Sequence, residues 1–377
     1  MVRHGLEAHV TGGDFHVLTA FIAIALLMTL ADSTSPQHNR FSAIAPYLPL
    51  IITLVVFALL YTGGAIAFYQ DNFVSLPVFE QFFSSKAALG IIAVGMTFVI
   101  LSGGIDLSVG SVMALSTMIV AKVAAGHVSP ILGIALALLG GAAIGLLNGT
   151  LIQLFEMPPF LVTLATLFLA RGLALILNET RRIALDSRDY PFFDTFTSMN
   201  IAIGDVRIYM RTVVFVALVI IAVLVLRTTR FGRNVYALGG NEQAARLMGL
   251  PVARTKIAVY VICGFLAALA GVITLSDSPA GDPTIAVGWE LDAISAVVIG
   301  GTLLTGGVGS VVGTLLGVLI IALIEQIIIT AGSDPSRARI VNGLLLGGFI
   351  ALQKSLPAIQ RLRPRLKPAR QLMRSPR

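Results

Sequence analysis

The sequence runs to 377 residues, of which 56% are apolar and 12% charged, with a formal net charge of +7. A chain that apolar cannot fold as a water-soluble unit of this size, so it is an integral membrane protein. The single cysteine, Cys263, has no partner for a disulfide, and four of the five histidines fall within the first 38 residues, so neither a disulfide framework nor a His/Cys metal site is expected.

Residues 1–44 stand apart from the rest. Their apolar run VLTAFIAIALLMTLA is only 15 residues long, and the segment before it lacks a basic signal-peptide start. It reads as an extra interfacial or signal-like segment, or as an over-long gene start.

A transmembrane helix needs roughly 20 mostly apolar residues. Ten candidate spans follow in chain order: 45–68, 87–101, 108–126, 129–155, 159–178, 212–226, 257–276, 291–304, 310–332 and 340–356. The second and eighth are short, and each runs into a glycine-rich break, SGGIDLSVG and TGGVG. Interrupted helices survive at membrane depth only where protein or a wet cavity satisfies the loosened backbone. The expected fold is an all-α polytopic membrane protein of about ten transmembrane helices over residues 45–356, with two broken-helix regions in loosely repeated halves. The repeat lays FVILSGGIDLSVGSVMAL on VVIGGTLLTGGVGSVVGTL with Gly110 on Gly309, which also matches Ile100 with Ile299, Ser111 with Ser310 and Val112 with Val311. Ser102, Gly103, Gly104, Asp106, Ser108 and Gly110 mark the first break as a candidate pathway element, and Gly306 and Gly307 mark the second.

Asp106 has two readings. Its carboxylate could accept bonds from the hydroxyls of a transported ligand or shape the break to admit one. Alternatively it caps a helix beginning near Ser108, or ends the preceding span near the inner surface. Its short side chain and the run Asp-Leu-Ser-Val-Gly favour the structural role.

Lys and Arg in short loops stay on the cytoplasmic side. Residues 227–256 carry six of them (Arg227, Arg230, Arg233, Arg246, Arg254, Lys256) against one acid, Glu242, and the tail from Lys354 onward carries eight against none. Both segments are therefore expected inside, with both termini cytoplasmic and residues 357–377 forming a basic tail. The positive charge is a topology signal and calls for no nucleic acid.

Within the loop 227–256, Gly239 and Gly240 precede Asn241, a good N-cap; Glu242 suits a first helical turn, Ala245 and Arg246 favour helix, and Gly249 can take the left-handed position that ends one. So short a helix is unstable alone and must be held by something. Its small residues expose little area for insertion among membrane lipids and suit close docking in a protein groove.

Other charges lie in or near the spans. Arg171 and Glu325 either pair, line a path or face the bundle interior, and Lys122 reaches for the interface from a span end. Glu290 and Asp292, at the expected outer mouth of the eighth span, are candidates for receiving a ligand or a docking protein, with Trp289 beside them as an interfacial anchor or a stacking ring.

Three stretches carry a family resemblance: AALGIIAVGMTFVILSGGIDLSVGSVMA, FGRNVYALGGNEQAARLMGLPVARTK and ELDAISAVVIGGTLLTGGVGSVVGTLLG. They resemble the permease subunits of monosaccharide ATP-binding cassette (ABC) importers of the ribose, xylose and arabinose group, the likeness being strongest to permeases of galactofuranose importers. The resemblance implies a dimer with a second permease in a bacterial inner membrane, a cytoplasmic sugar ATPase, a periplasmic sugar-binding protein and alternating access. It also implies that Asn241 to Gly249 is the segment coupling ATPase to spans. The chain has no phosphate-binding G-x-x-x-x-G-K-[ST] loop, since GGVGSVVG lacks a lysine, so ATP and magnesium would be bound by the partner ATPase and no cofactor or enzyme activity is expected here. An ion-coupled secondary transporter is the rival reading and would need titratable pairs at midplane. A membrane enzyme would need a clustered catalytic set, yet His127 is the lone histidine beyond residue 38.

Overall fold

The computed structural model describes residues 48–362 apart from 70–72, 74, 179–180, 186–191, 193–194, 196–198, 204–205 and 335. The expected N-terminal extension and the tail beyond residue 362 lie outside the described residues.

The apolar runs fold as helices: α1 (Leu48–Ala67), α2 (Leu76–Ser85), α3 (Ala87–Leu101), α4 (Val109–Ala125), α5 (Pro130–Leu154), α6 (Pro159–Ile176), α7 (Met210–Thr228), α8 (Arg230–Gly240), α9 (Glu242–Leu247), α10 (Val252–Thr274), α11 (Trp289–Ile299), α12 (Val311–Thr330) and α13 (Ser336–Leu362). Proline opens α5 and α6, where its missing N–H costs nothing and its fixed φ suits the first turn. Two short antiparallel pairs interrupt the helices: β1 (Ile183–Ala184) with β4 (Ala280–Gly281), and β2 (Asn200–Ile203) with β3 (Val206–Tyr209).

Each of the ten expected spans coincides with a helix, but they are not ten simple crossings. Six helices among the described residues are long and apolar enough to cross a membrane: α1, α5, α6, α7, α10 and α12. A seventh counts if α2 and α3, which meet at a 55° bend, form one broken span. Two of the others, α4 and α11, depart for visible reasons. The first break truncates α4 to 17 residues, and α11 has 11 because residues from 275 onward run beside α4 before the helix starts. A Cβ placed at Gly281 would meet Ala121, and one at Gly110 would meet the Ala286 carbonyl, so this segment lies along most of α4.

Contacts fix the direction of the chain at each pass. Leu101 at the end of α3, Gly239 at the end of α8 and Gly307 after α11 meet at one end of the bundle, called here the α9 end. Thr53, near the start of α1, donates to Ile299 O at 2.6 Å close to that end. At the opposite end Lys86 pairs with Glu325, and Arg211 reaches Asp277 at 2.7 Å and Ser84.

The bundle is tied together by close backbone approaches. Gly141, Gly145 and Gly149, one per turn of α5, press against the backbone of Gly264, Tyr260 and Ile257 of α10, so that long side chains are absent from the contact and dispersion acts at short range. Leu132, Leu139 and Leu146 on the other side of α5, with Phe168 and Leu173 on α6 and Ile221 and Leu224 on α7, leave apolar surface exposed, as spans bordered by lipid require. Buried threonines and serines also link helices, as where the Thr97 and Thr314 hydroxyls bond at 2.7 Å between α3 and α12.

The two breaks are not copies in register. The first occupies 102–108 and the second 300–310, so a gapless match aligns the preceding helix ends to within a residue and then loses the helix starts. Ser310 is the N-cap of α12, its hydroxyl accepting from Gly313 N at 3.0 Å, whereas Ser111, matched to it by sequence, lies inside α4.

Candidate functional site

The residues singled out in the two breaks and the loop converge. Gly239, in the last turn of α8, is wedged between the breaks: a Cβ there would fall 1.8 Å from Leu101 O and 2.5 Å from Gly307 N. Gly307 N in turn donates to Leu101 O at 2.9 Å, and Tyr236 of α8 donates its hydroxyl to Gly309 O at 3.0 Å. Gly103, Gly306 and Gly307 all have φ between +74° and +84°, a region where side chains are strained, so glycine is required at all three for conformation, and at Gly306 and Gly307 for space as well. Gly239 and Gly240 are therefore helical and part of a junction, where the sequence suggested a loop lead-in. Tertiary contact with both breaks overrides the low helix propensity of the pair.

Immediately after this junction stands α9. Asn241 Oδ1 accepts from Ala244 N at 2.9 Å and caps it. At the far end Gly249 takes φ +73°, with Gly249 N donating to Arg246 O at 3.0 Å and Leu250 N to Ala245 O at 3.1 Å, a paired closure that ends the helix. Glu242 accepts from Arg246 one turn on, at 2.7 Å, and from Lys256 of α10. Ala245, read from sequence as a small docking position, is 1% exposed and packs on Leu238 and Val252. The helix period turns it toward the chain's own α8 and α10. Leu247 and Met248, at 89% and 68% exposure, carry the outward apolar surface and were missed. Two large exposed apolar side chains beside a charged turn are the signal that could have found them.

Asp106 is fully buried, and it does not cap α4. Its Oδ1 accepts from Ser108 N at 2.9 Å and Ser108 Oγ at 2.6 Å, while Ser108 itself is the N-cap residue. The carboxylate thus closes an Asx turn that leads the chain into α4. From Ser108 a buried chain continues: Asn148 Nδ2 donates to Ser108 Oγ at 3.2 Å, and Thr166 Oγ1 donates to Asn148 Oδ1 at 2.7 Å, tying α4 to α5 and α6. Asp106 also faces Cys263 and Tyr260 of α10. Cys263 lies midway along that spanning helix, so the carboxylate sits well inside the bundle and not at the inner surface. Asn148, Thr166 and Tyr260 escaped notice, although polar residues inside apolar runs are themselves the signal for such a network.

A cavity of about 650 Å³ joins the first break to α9. Its lining includes Ser102, Gly103 and Gly104 of the break, Glu242, Gln243 and Arg246 of α9, and Lys256 and Tyr260 of α10.

The remaining candidates are elsewhere. Glu290 stands over Gly110, whose Cβ would lie 2.7 Å from Glu290 Oε2, so these two share a site at the start of α4 that is separate from the α9 junction. Asp292 faces Lys86, Glu325 and Arg339, and Trp289 is half-buried against the core. Asp292 therefore lies near the Lys86–Glu325 pair, at the end of the bundle opposite α9, and both carboxylates, Glu290 and Asp292, are half-buried. Arg171 and Glu325 do not pair with each other: Arg171 of α6 donates to the carbonyls of Pro283 and Ile285 at 2.7 and 2.9 Å, tying the segment to α6, and Glu325 pairs with Lys86. Lys122 is exposed in the last turn of α4.

Residues 78–350 match the family model described as branched-chain amino acid transport system / permease component. The chain belongs to this permease family. It is 44% identical over 315 residues to the inner membrane ABC transporter permease protein YjfF of Escherichia coli (strain K12), covering 83% of this chain and 93% of that one. It is 38% identical to the fructose import permease protein FruG of Bifidobacterium longum (strain NCC 2705), over 87% of this chain and 97% of the relative. The ribose import permease protein RbsC of Bacillus subtilis (strain 168) is also 38% identical, over 80% and 90%. No solved structure matches the chain. Two of these relatives are named as import permeases for the sugars fructose and ribose and the other as an ABC transporter permease, and this permease is an all-α polytopic membrane protein.

Proposed function

We propose that this permease is the membrane subunit of an ABC importer that carries a monosaccharide into the cytoplasm by alternating access, with ATP and magnesium bound by a separate ATPase. The observation that carries the proposal is the junction of Gly239, Gly103 and Gly307 directly ahead of the capped helix α9. A short helix with exposed Leu247 and Met248 gives a partner something to grip, and the glycine contacts pass its displacement to both broken helices at once. Interfaces this closely packed shift between discrete arrangements, which is what alternating access needs. The basic residues flanking α9 support its placement on the cytoplasmic side.

The remaining parts of the machine are proposed with it. A periplasmic sugar-binding protein delivers the sugar at the opposite end, and a second permease, identical or related, completes the path. The names of relatives, import permeases for fructose and ribose and a transport system permease for L-arabinose, support a sugar substrate, and the resemblance to galactofuranose importers nominates that furanose among them. The test is uptake into vesicles holding the permease with its co-purifying ATPase and binding protein, using labelled ribose, fructose, arabinose and galactose. Uptake of one sugar that requires internal or external ATP at the ATPase face is the expected result. Uptake driven by an ion gradient without the ATPase would overturn the proposal in favour of a secondary transporter.

A further inference from the structure

Two of the structure's features lie on one helix without an evident reason in sequence. Lys256, near the start of α10, donates to both oxygens of Glu242 on α9, at 2.9 and 2.8 Å, and its side chain is only 15% exposed. One turn further along α10, the Tyr260 hydroxyl covers Gly104, where a Cβ would fall 2.3 Å from it; on the next turn Cys263 faces Asp106. Residues 256, 260 and 263 share a helix face at the spacing of four and three. One end of that face holds α9, and the other two positions hold the first break.

We infer that the Glu242–Lys256 pair is the latch through which movement of α9 is transmitted along α10 to the Asp106 break. This rests on the reading of α9 as the ATPase-docking helix. The apolar contact beneath α9, Ala245 with Leu238 and Val252, resists separation but is non-directional, and it permits rotation and sliding. A two-oxygen ammonium contact fixes both distance and bearing, and because the Lys256 side chain is largely covered while Glu242 is only about a third exposed, moving α9 away leaves the Lys256 ammonium without its counterpart. Arg246 closes Glu242 from the solvent side at 2.7 Å and belongs to α9 itself, so it orients the carboxylate toward Lys256 without linking the two helices. Glu242 and Lys256 also both line the cavity that Ser102 and Gly104 share, so a change in the pair is felt at the first break by this route as well. The pair is a positioning device: neither residue is asked to touch a transported sugar.

The experiment places a reporter in the break and reads its response to ATP. Cys263 is 1% exposed and gives no background, so Ser102→Cys supplies a single reactive thiol at the cavity wall. In the complex with the co-purifying ATPase, addition of ATP and vanadate should change its labelling rate by a thiol reagent at least about fivefold. Glu242→Gln and Lys256→Gln should each abolish that response while the ATPase remains bound and hydrolyses ATP. Exchanging the charges of all three groups, Glu242→Lys with Arg246→Glu and Lys256→Glu, so that no like-charge pair is left on α9, should restore most of it, and Lys256→Arg should leave it intact; a residue acting only through general stability would show no such recovery. Single variants that respond like the parent, or an exchange as unresponsive as the singles, would overturn the latch. Should the Glu242 variants fail to insert, the comparison of Lys256→Gln with Lys256→Arg decides alone. Absence of any ATP response in the parent would instead overturn the docking reading of α9, so the two failures are separable.

Discussion

Gly239 and Gly240 are adjacent, identical and equally helical, yet the structure requires them to behave differently when mutated to alanine. At Gly239 the added methyl would lie 1.8 Å from Leu101 O, more than an ångström inside any distance real Cβ atoms show, and 2.5 Å from Gly307 N. Both obstacles are backbone, and both belong to broken helices, so neither can turn aside as a side chain would. Overpacking of this kind costs about 1–3 kcal/mol, and with two backbone clashes and the Gly307-to-Leu101 hydrogen bond displaced the upper end applies, about 3 kcal/mol. At Gly240 nothing lies within 4 Å of the new methyl. There the lost backbone freedom of glycine in the unfolded chain makes alanine neutral or stabilising by up to about 1 kcal/mol. Thermal denaturation of the two purified variants in detergent, followed by monodispersity on gel filtration, measures the contrast, and uptake measures its consequence. Gly239→Ala should melt well below the parent and lose transport; Gly240→Ala should match the parent in both. Equal behaviour of the two variants would refute the junction and with it the mechanical link from α9 to the breaks.

The other expectations are as follows. Ala245→Trp, which forces an indole into the Leu238–Val252 contact, should loosen α9 from its own chain and lower thermal stability, whereas Leu247→Asp should leave stability unchanged and reduce the ATPase recovered on co-purification. Asp106→Asn keeps the oxygen that accepts from Ser108 and should insert and transport; Asp106→Leu strands the Ser108 N–H and hydroxyl and should cost about 1–3 kcal/mol, read as a lowered melting temperature. If Asn abolishes transport in a stably inserted complex, the charge itself is functional. For Glu242, partial burial opposes the charge, and the bonds from Lys256 and Arg246 outweigh it, holding the carboxyl below its usual 4.5. A lowered folded value means that its contribution is complete above 4.5 and is lost only as the pH falls through the lower folded value. Protection of α9 amides from exchange, corrected for the intrinsic rate, should therefore be flat from neutral pH down to 4.5 in the parent, with Glu242→Gln showing the weakened level throughout.

The helices were legible because lipid demands long apolar runs, and each of the ten runs is a helix in the structure. Their lengths as crossings were not. Whether 291–304 spans depends on where residues 275–288 go, and that is decided by Arg171 reaching two carbonyls and by Gly110 admitting Ala286, contacts far apart in sequence. Local chemistry read well at α9, where Asn241 and Gly249 close the helix by bonds within a few residues. It read poorly at Asp106, because an Asx turn and an N-cap share the same residue types, and their difference is a two-residue offset that only the start of α4 fixes. The direction faced by Ala245 was likewise hidden: a six-residue helix is too short for its apolar period to say which side is buried, and the answer came from Leu238 and Val252 on neighbouring helices.

The claim on which the rest depends is that α9 faces an ATPase, and site-directed cross-linking tests it with little background because the sole cysteine is buried. Cysteine introduced at Leu247 or Met248 should form a cross-link to a co-expressed ATPase subunit in membranes, with a yield that changes when ATP is added, while cysteine at Ala245 should not. In intact cells the same Leu247→Cys and Met248→Cys variants should be protected from a membrane-impermeant thiol reagent. Labelling of Leu247→Cys from outside the cell, with no cross-link to the ATPase, would place α9 on the wrong side of the membrane and contradict the proposed coupling.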